Sequence, residues 1–217
     1  MTRLLDDEEI TRQLADLPDW RRLGGSLHAR YEAPGFPTAV QLVSAVADTA
    51  ESMNHHPDID IRWRTLRFVL STHSAGGLTQ LDMELAHQIS AEAERAGARS
   101  TGVTPSSIYI AIDAVDAAAI VPFWRAGLAY DEKPWDDGTP TLRDPAGVGP
   151  LVWFQTTDPP RTERNRIHLD VNVPREEAQQ RVEQVLAAGG RLVTDEHAPG
   201  WWVLADSEGN ELCVCSE

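Results

Sequence analysis

The chain has 217 residues, 41% of them hydrophobic and 24% charged, a balance that supports folded cores and excludes wholesale disorder. Its formal net charge of −15 leaves neither half basic, which excludes a nucleic-acid partner and binding to anionic membrane surfaces, since both need clustered Lys and Arg. The length admits two compact domains, and a small neutral or weakly charged molecule is the partner that suits this composition.

Met1 to Glu9 lacks an apolar signal stretch and no later segment approaches the length of a membrane span, so a cytoplasmic protein with no membrane partner is expected. Leu5 to Leu17 reads as an acidic-started helix closed by Pro18, and Trp20–Arg22 with Leu27–Tyr31 around Gly24-Gly25 reads as a hairpin. Phe36, Val40, Val43, Val46, Ala47, Ala50 and Met53 recur at helical spacing, from Pro37 to the two histidines. The period then drops to two. Ile59, Ile61 and Trp63 form one strand and Leu66, Phe68 and Leu70 the next, joined tightly at Arg64. Gly76-Gly77 breaks the pattern, and Thr79 caps a helix running to Arg95. The order is α-β-β-α-β-β-α.

Gly97 to Ser107 is small, polar and unperiodic, which sets the domains at residues 1–98 and 108–217 with a linker at 99–107. Beyond it come a strand at Ile108–Ile112, a helix near Asp116–Ala126 and strands ending at Leu151–Gln155. The order then restarts with a strand at Ile167–Val173, a helix at Arg175–Ala188 closed by Gly189-Gly190, and three further strands. The second half therefore reads as two βαβββ units in tandem, and the fold class as α+β. Cys213 and Cys215 alternate on the last strand as a reduced pair, with no zinc-binding cysteine pattern.

The chemistry concentrates in the first half. Glu51 and His55 lie four residues apart on one helix, so their side chains are expected to interact. Pro57 disfavours helix at His56, which should point differently from His55. His73 sits on the Arg67 and Ser71 face where the strand meets the glycine loop. One histidine is commonplace, whereas three converging on one region are suited to proton transfer near pH 7.

Glu51, three residues, His55-His56-Pro57, five residues, Trp63, nine residues, His73, eight residues and Asp82 form a spaced pattern. On it, Leu5 to Ala98 resembles the pterin-4a-carbinolamine dehydratase family. The resemblance implies loss of water from a 4a-hydroxytetrahydropterin to give the quinonoid dihydropterin, with no metal and no cofactor. It implies that His55 and His73 are acid and base in an order not readable here, with His56 holding the pterin and Glu51 orienting an imidazole. It further implies that backbone around Thr72, Ser74 and Ala75 meets the pterin ring, with Pro57, Trp63 and Asp82 as contacts or supports. Members of this family also act as protein-binding partners, so a pterin-binding or interaction module is the alternative. The complete histidine set favours the enzyme. A homo-oligomer, most simply a dimer, is expected, because a small sheet with helices on one face leaves edges and a face to cover.

Ser106 to Glu217 resembles the glyoxalase-like vicinal oxygen chelate superfamily, on Arg164-Asn-Arg-Ile-His-Leu-Asp170 and Asp206-Ser-Glu-Gly-Asn-Glu-Leu212. That likeness makes His168 and Glu211 two candidate metal ligands. Tyr109 and Gln155 stand at the other two positions, so a bound catalytic metal is not expected. Trp124, Trp135, Trp153, Trp201 and Trp202 are read as core and cup lining, and the ligand of this half is left open.

Overall fold

The structure, a computed structural model, describes residues 3–157 and 167–216. The chain divides into two compact units, Met1–Ser106 and Ser107–Glu217. Both mix helix and sheet, as the residue periods predict. Among the described residues no helix is long and apolar enough to cross a membrane.

In the first unit, α1 (Asp7–Leu14) begins two residues later than the apolar pattern suggests, because Asp6 caps it: its carboxylate accepts Glu9 N–H at 2.8 Å, and Glu9 accepts Asp6 N–H at 3.0 Å. A hairpin of β1 (Arg21–Leu23) and β2 (Ser26–Glu32) follows, then α2 (Phe36–Met53), β3 (Asp58–Arg62), β4 (Thr65–Leu70), a single 3₁₀ turn (His73–Ala75), α3 (Gln80–Arg95) and β5 (Arg99–Ser100). The sheet order is β1-β2-β4-β3, with β5 added to β2. Alternation buries Leu27, Ala29 and Tyr31 of β2 and Leu66, Phe68 and Leu70 of β4 in one core with Leu42 and Val46 of α2 and Met83, Leu85 and Ile89 of α3. The other sheet face carries His28, Arg30 and Glu32 of β2 and Thr65, Arg67 and Val69 of β4.

Two readings change here. Trp63 leaves the strand alternation and adopts φ +54°, so it makes the β3–β4 turn with Arg64 instead of extending β3. Arg99 and Ser100, expected in the linker, pair with Glu32 and Tyr31 as β5, because Gly97 at φ +68° turns the chain back after α3.

The second unit consists of β6 (Tyr109–Ala114), α4 (Ala117–Leu128), β7 (Asp131–Glu132), β8 (Thr141–Arg143) and β9 (Leu151–Thr156), then β10 (Leu169–Val173), α5 (Arg175–Ala187), β11 (Arg191–Thr194), β12 (Trp201–Ala205) and β13 (Glu211–Ser216). Each half is βαβββ with its first strand parallel to its last: β6 beside β9 and β10 beside β13, in sheets ordered β6-β9-β8-β7 and β10-β13-β12-β11. Arg164, Asn165 and Arg166 of the motif noted above lie outside the described residues.

Candidate active site

The end of α2 decides where its histidines go. Asn54 adopts the left-handed conformation at φ 48°, donating its N–H to Ala50 and Glu51 carbonyls, so the helix stops at Met53. His55 is thereby outside the helix, and the expected Glu51–His55 pair does not form. Glu51 instead meets His56, with Oε1 at 3.0 Å from Nε2, on the exposed surface.

His55 turns inward to Asp82. Its Nε2 lies 2.8 Å from Asp82 Oδ1, with His55 7% and Asp82 0% exposed. The other oxygen, Oδ2, accepts Thr79 N–H at 2.7 Å and the Thr72 hydroxyl at 2.7 Å, and Thr72 and Thr79 Oγ1 are 2.7 Å apart. One buried carboxylate thus fastens the start of α3, the end of the β4 segment and His55 together. Both of its oxygens face protein donors, so a charge is accommodated inside the unit. Because an ionised carboxylate only accepts, His55 Nε2 carries the hydrogen in this pair.

Thr72 is also the residue before His73. Its carbonyl accepts the N–H groups of Ala75 and Gly76 at 3.0 Å, and its N–H donates to Gly77 O at 3.0 Å. His73 consequently belongs to the 3₁₀ turn, not to a strand face. It is exposed, as is Ser74, while Ala75 and Pro57 are half-buried. No side-chain hydrogen bond or ion pair of the His73 ring is found among the described residues.

Asp82 has no surface to offer a substrate and acts through His55 and Thr72, and the buried Thr72 hydroxyl is likewise engaged inward. Trp63 is 71% exposed at the far end of the β3–β4 hairpin, where Arg62 pairs with Thr65, whereas Asp58 beside the histidines pairs with Val69. About 3.3 Å per residue puts the length of β3 between Trp63 and the His56-Pro57 end. The sequence signal that could have placed Asp82 was its position three residues after the Thr79 cap, which marks a first-turn acceptor.

In the second unit, a cavity of about 330 Å³ is lined by Ile110, Asp113, Trp124, His168, Asn210 and Glu211. His168 and Glu211 share it. Tyr109 and Gln155 do not line it, and both are exposed. Asp113 lines the cavity without having been singled out in the sequence, and so does Asn210, which the sequence offered only as part of the Asp206–Leu212 motif. Trp124 is held there by its Nε1–H, which donates to the fully buried Asp206 at 3.0 Å. Beside the cavity, His168, Asp170 and Cys213 bring one donor atom each within 4.8 Å of one another, a mixed N, O and S set able to hold a cation. Burial pushes the Cys213 thiol up to about 11, with Asp170 adding to it.

Comparison with known proteins assigns the two units separately. The family model for pterin 4 alpha carbinolamine dehydratase matches residues 3–92, and that for a glyoxalase-like domain matches residues 109–215. A relative from Nocardia farcinica, provisionally named as a pterin-4-alpha-carbinolamine dehydratase, is 58% identical over 88 residues, 41% of this chain and 93% of its own. A similarly named relative from Roseiflexus castenholzii is 51% identical over 89 residues, covering 41% and 96%. Among solved structures, a transcriptional coactivator/pterin dehydratase from Brucella melitensis covers 42% of this chain and 99% of its own at 27% identity and a TM-score of 0.41. The fosfomycin resistance protein FosX from Mesorhizobium loti covers 53% and 94% at 10% identity and a TM-score of 0.44.

Proposed function

Because the chain belongs to the pterin 4 alpha carbinolamine dehydratase family through its first unit and carries a glyoxalase-like domain in its second, we propose that it dehydrates 4a-hydroxytetrahydropterins, such as 4a-hydroxytetrahydrobiopterin, by histidine acid/base catalysis. The observation that carries this reading is the His55–Asp82–Thr72 chain of hydrogen bonds, which ties His55 to the segment presenting His73.

The reaction breaks the C4a–O bond, releases water, and forms the C4a–N5 double bond as N5 gives up its proton. No electrons are exchanged. One group must protonate the leaving hydroxyl and another must accept the N5 proton. With Nε2–H committed to Asp82, neutral His55 offers Nδ1 as an acceptor, which suits the base. His73, exposed and without a side-chain partner among the described residues, suits the acid that delivers a proton to the hydroxyl. His56, held by Glu51, suits binding of the pterin, to which Pro57, Ser74 and Ala75 add the remaining contacts of the proposal. Protons then return through solvent, since His73 is open to water.

For the second unit we propose a small-ligand role for the cavity between Trp124 and His168. A homo-oligomer, with the β3 edge as one surface to cover, completes the proposal. The deciding experiment is stopped-flow dehydration of chemically generated 4a-hydroxytetrahydropterin. Acceleration over the uncatalysed rate supports the enzyme, and its absence in folded protein leaves an interaction module.

A further inference from the structure

The polar face of the first unit's sheet carries an unusual charge arrangement. Arg30 of β2 and Arg67 of β4 are directly opposed cross-strand partners. Like charges so placed repel. Asp60 is the neighbour of Arg67 on β3, but its carboxylate is taken by Arg62 at 3.2 Å. Among the described residues neither Arg30 nor Arg67 has a carboxylate or side-chain hydrogen-bond partner. In a chain of net charge −15, these two guanidiniums stand directly opposite one another and are unpaired among the described residues.

Next to them on the same face is His28, only 9% exposed, whose Nδ1 has no hydrogen-bond partner among the described residues. A buried nitrogen left without a partner costs free energy unless something outside the chain meets it. These three side chains and Val103–Ser106 line a cavity of about 230 Å³. Thr101 N–H donates to Arg30 O at 2.9 Å, which carries the chain past the arginines and closes that wall.

The geometry points to a second ligand site, in which Arg30, Arg67 and His28 bind the phosphate group of a small phosphorylated molecule or free phosphate. Two guanidinium forks and an imidazole nitrogen line one cavity, and together they offer enough donors for the three terminal oxygens of a phosphate, more than the two of a carboxylate require. The anion relieves the Arg30–Arg67 repulsion and supplies the partner that His28 lacks. At about 30 Å³ per water, the cavity has room for an organic group beside the phosphate. The excess of negative charge elsewhere argues against a nucleic-acid backbone as the source.

The test is calorimetric titration of the full chain at low salt with inorganic phosphate, with glycerol 3-phosphate and with acetate, alongside NMR of the histidine rings. Expected are saturable single-site binding of phosphate or the monoester, weaker binding of acetate, and movement of the His28 ring signals. Arg30→Gln and Arg67→Gln should each weaken binding about tenfold, the effect of losing one charge-assisted bond. Arg30→Lys and Arg67→Lys, which keep the charge but lose the fork, separate recognition from net charge. Tighter binding of the monoester assigns the site to a phosphorylated metabolite, and equal binding assigns it to free phosphate. No saturable binding of either, or affinity unchanged in the folded glutamine variants, overturns the proposal. Dehydration rates should be unaltered in these variants, so the outcome is independent of the histidine site.

Discussion

His55 and Asp82 are joined by a 2.8 Å hydrogen bond between a ring nitrogen and a carboxylate that is wholly inaccessible to solvent. On the proposed mechanism Asp82 is a positioning residue. In Asp82→Asn the amide must turn its NH₂ toward either His55 Nε2–H or the donors at Thr79 and Thr72, and donor then faces donor. Expected are a loss of about 1–3 kcal/mol in stability and a fall of roughly 10- to 100-fold in dehydration, the range for losing a partner that orients a functional histidine. A purely structural role would leave the His55 tautomer alone. Nitrogen NMR should instead show the ring proton leaving Nε2, and an unchanged tautomer would sink the positioning role.

The second expectation separates the three histidines. His55→Ala and His73→Ala should each lower kcat by about 100-fold or more, as for a lost general acid or base. His56→Ala should act mainly on KM, because His56 is exposed and held only by Glu51. Circular dichroism checks the fold. Near-normal turnover in both of the first two variants would remove them from the mechanism.

Stability should depend on His28 in the acid range. Burial, with the Arg67 charge adding to it, lowers its pKa below the ordinary 6.5. The unfolded chain then takes up the proton first, so this contribution is intact above that value and is lost as pH falls from there through the folded pKa. Thermal melts between pH 8 and 5 (roughly the window this linkage predicts) should decline less steeply for His28→Gln than for the wild type. Parallel curves would contradict the assignment.

The last expectation concerns the boundary. Residues 1–106 form a compact unit and should fold alone with dehydratase activity. A fragment ending at Ala98 lacks β5 and the Thr101 to Arg30 hydrogen bond. Its melting temperature should be lower by about 4–8 °C, the change that about 1 kcal/mol makes in a domain of this size. Equal melting of the two fragments would show that the pairing at Arg99–Ser100 contributes nothing.

Much of this protein was legible in one dimension because hydrophobic period is local. The alternation through Leu66, Phe68 and Leu70, the helical spacing from Phe36 to Met53 and the repeated βαβββ order each need only neighbouring residues to be seen. The spaced pattern from Glu51 to Asp82 likewise identified the family, since motif spacing survives without coordinates.

What tertiary structure alone decided is who meets whom. Helical spacing predicted Glu51 with His55, but the left-handed turn at Asn54 rotates the chain, so the pairs are Glu51 with His56 and His55 with Asp82. Asp82 is 27 residues from His55, and no local rule joins residues so far apart. The opposition of Arg30 and Arg67 follows from sheet register, which a one-residue slip would destroy. In the same way His168, Asp170 and Cys213 converge only because β10 lies parallel to β13. Sequence determines each strand's faces through its period, whereas pairing depends on the long-range packing that sets strands side by side.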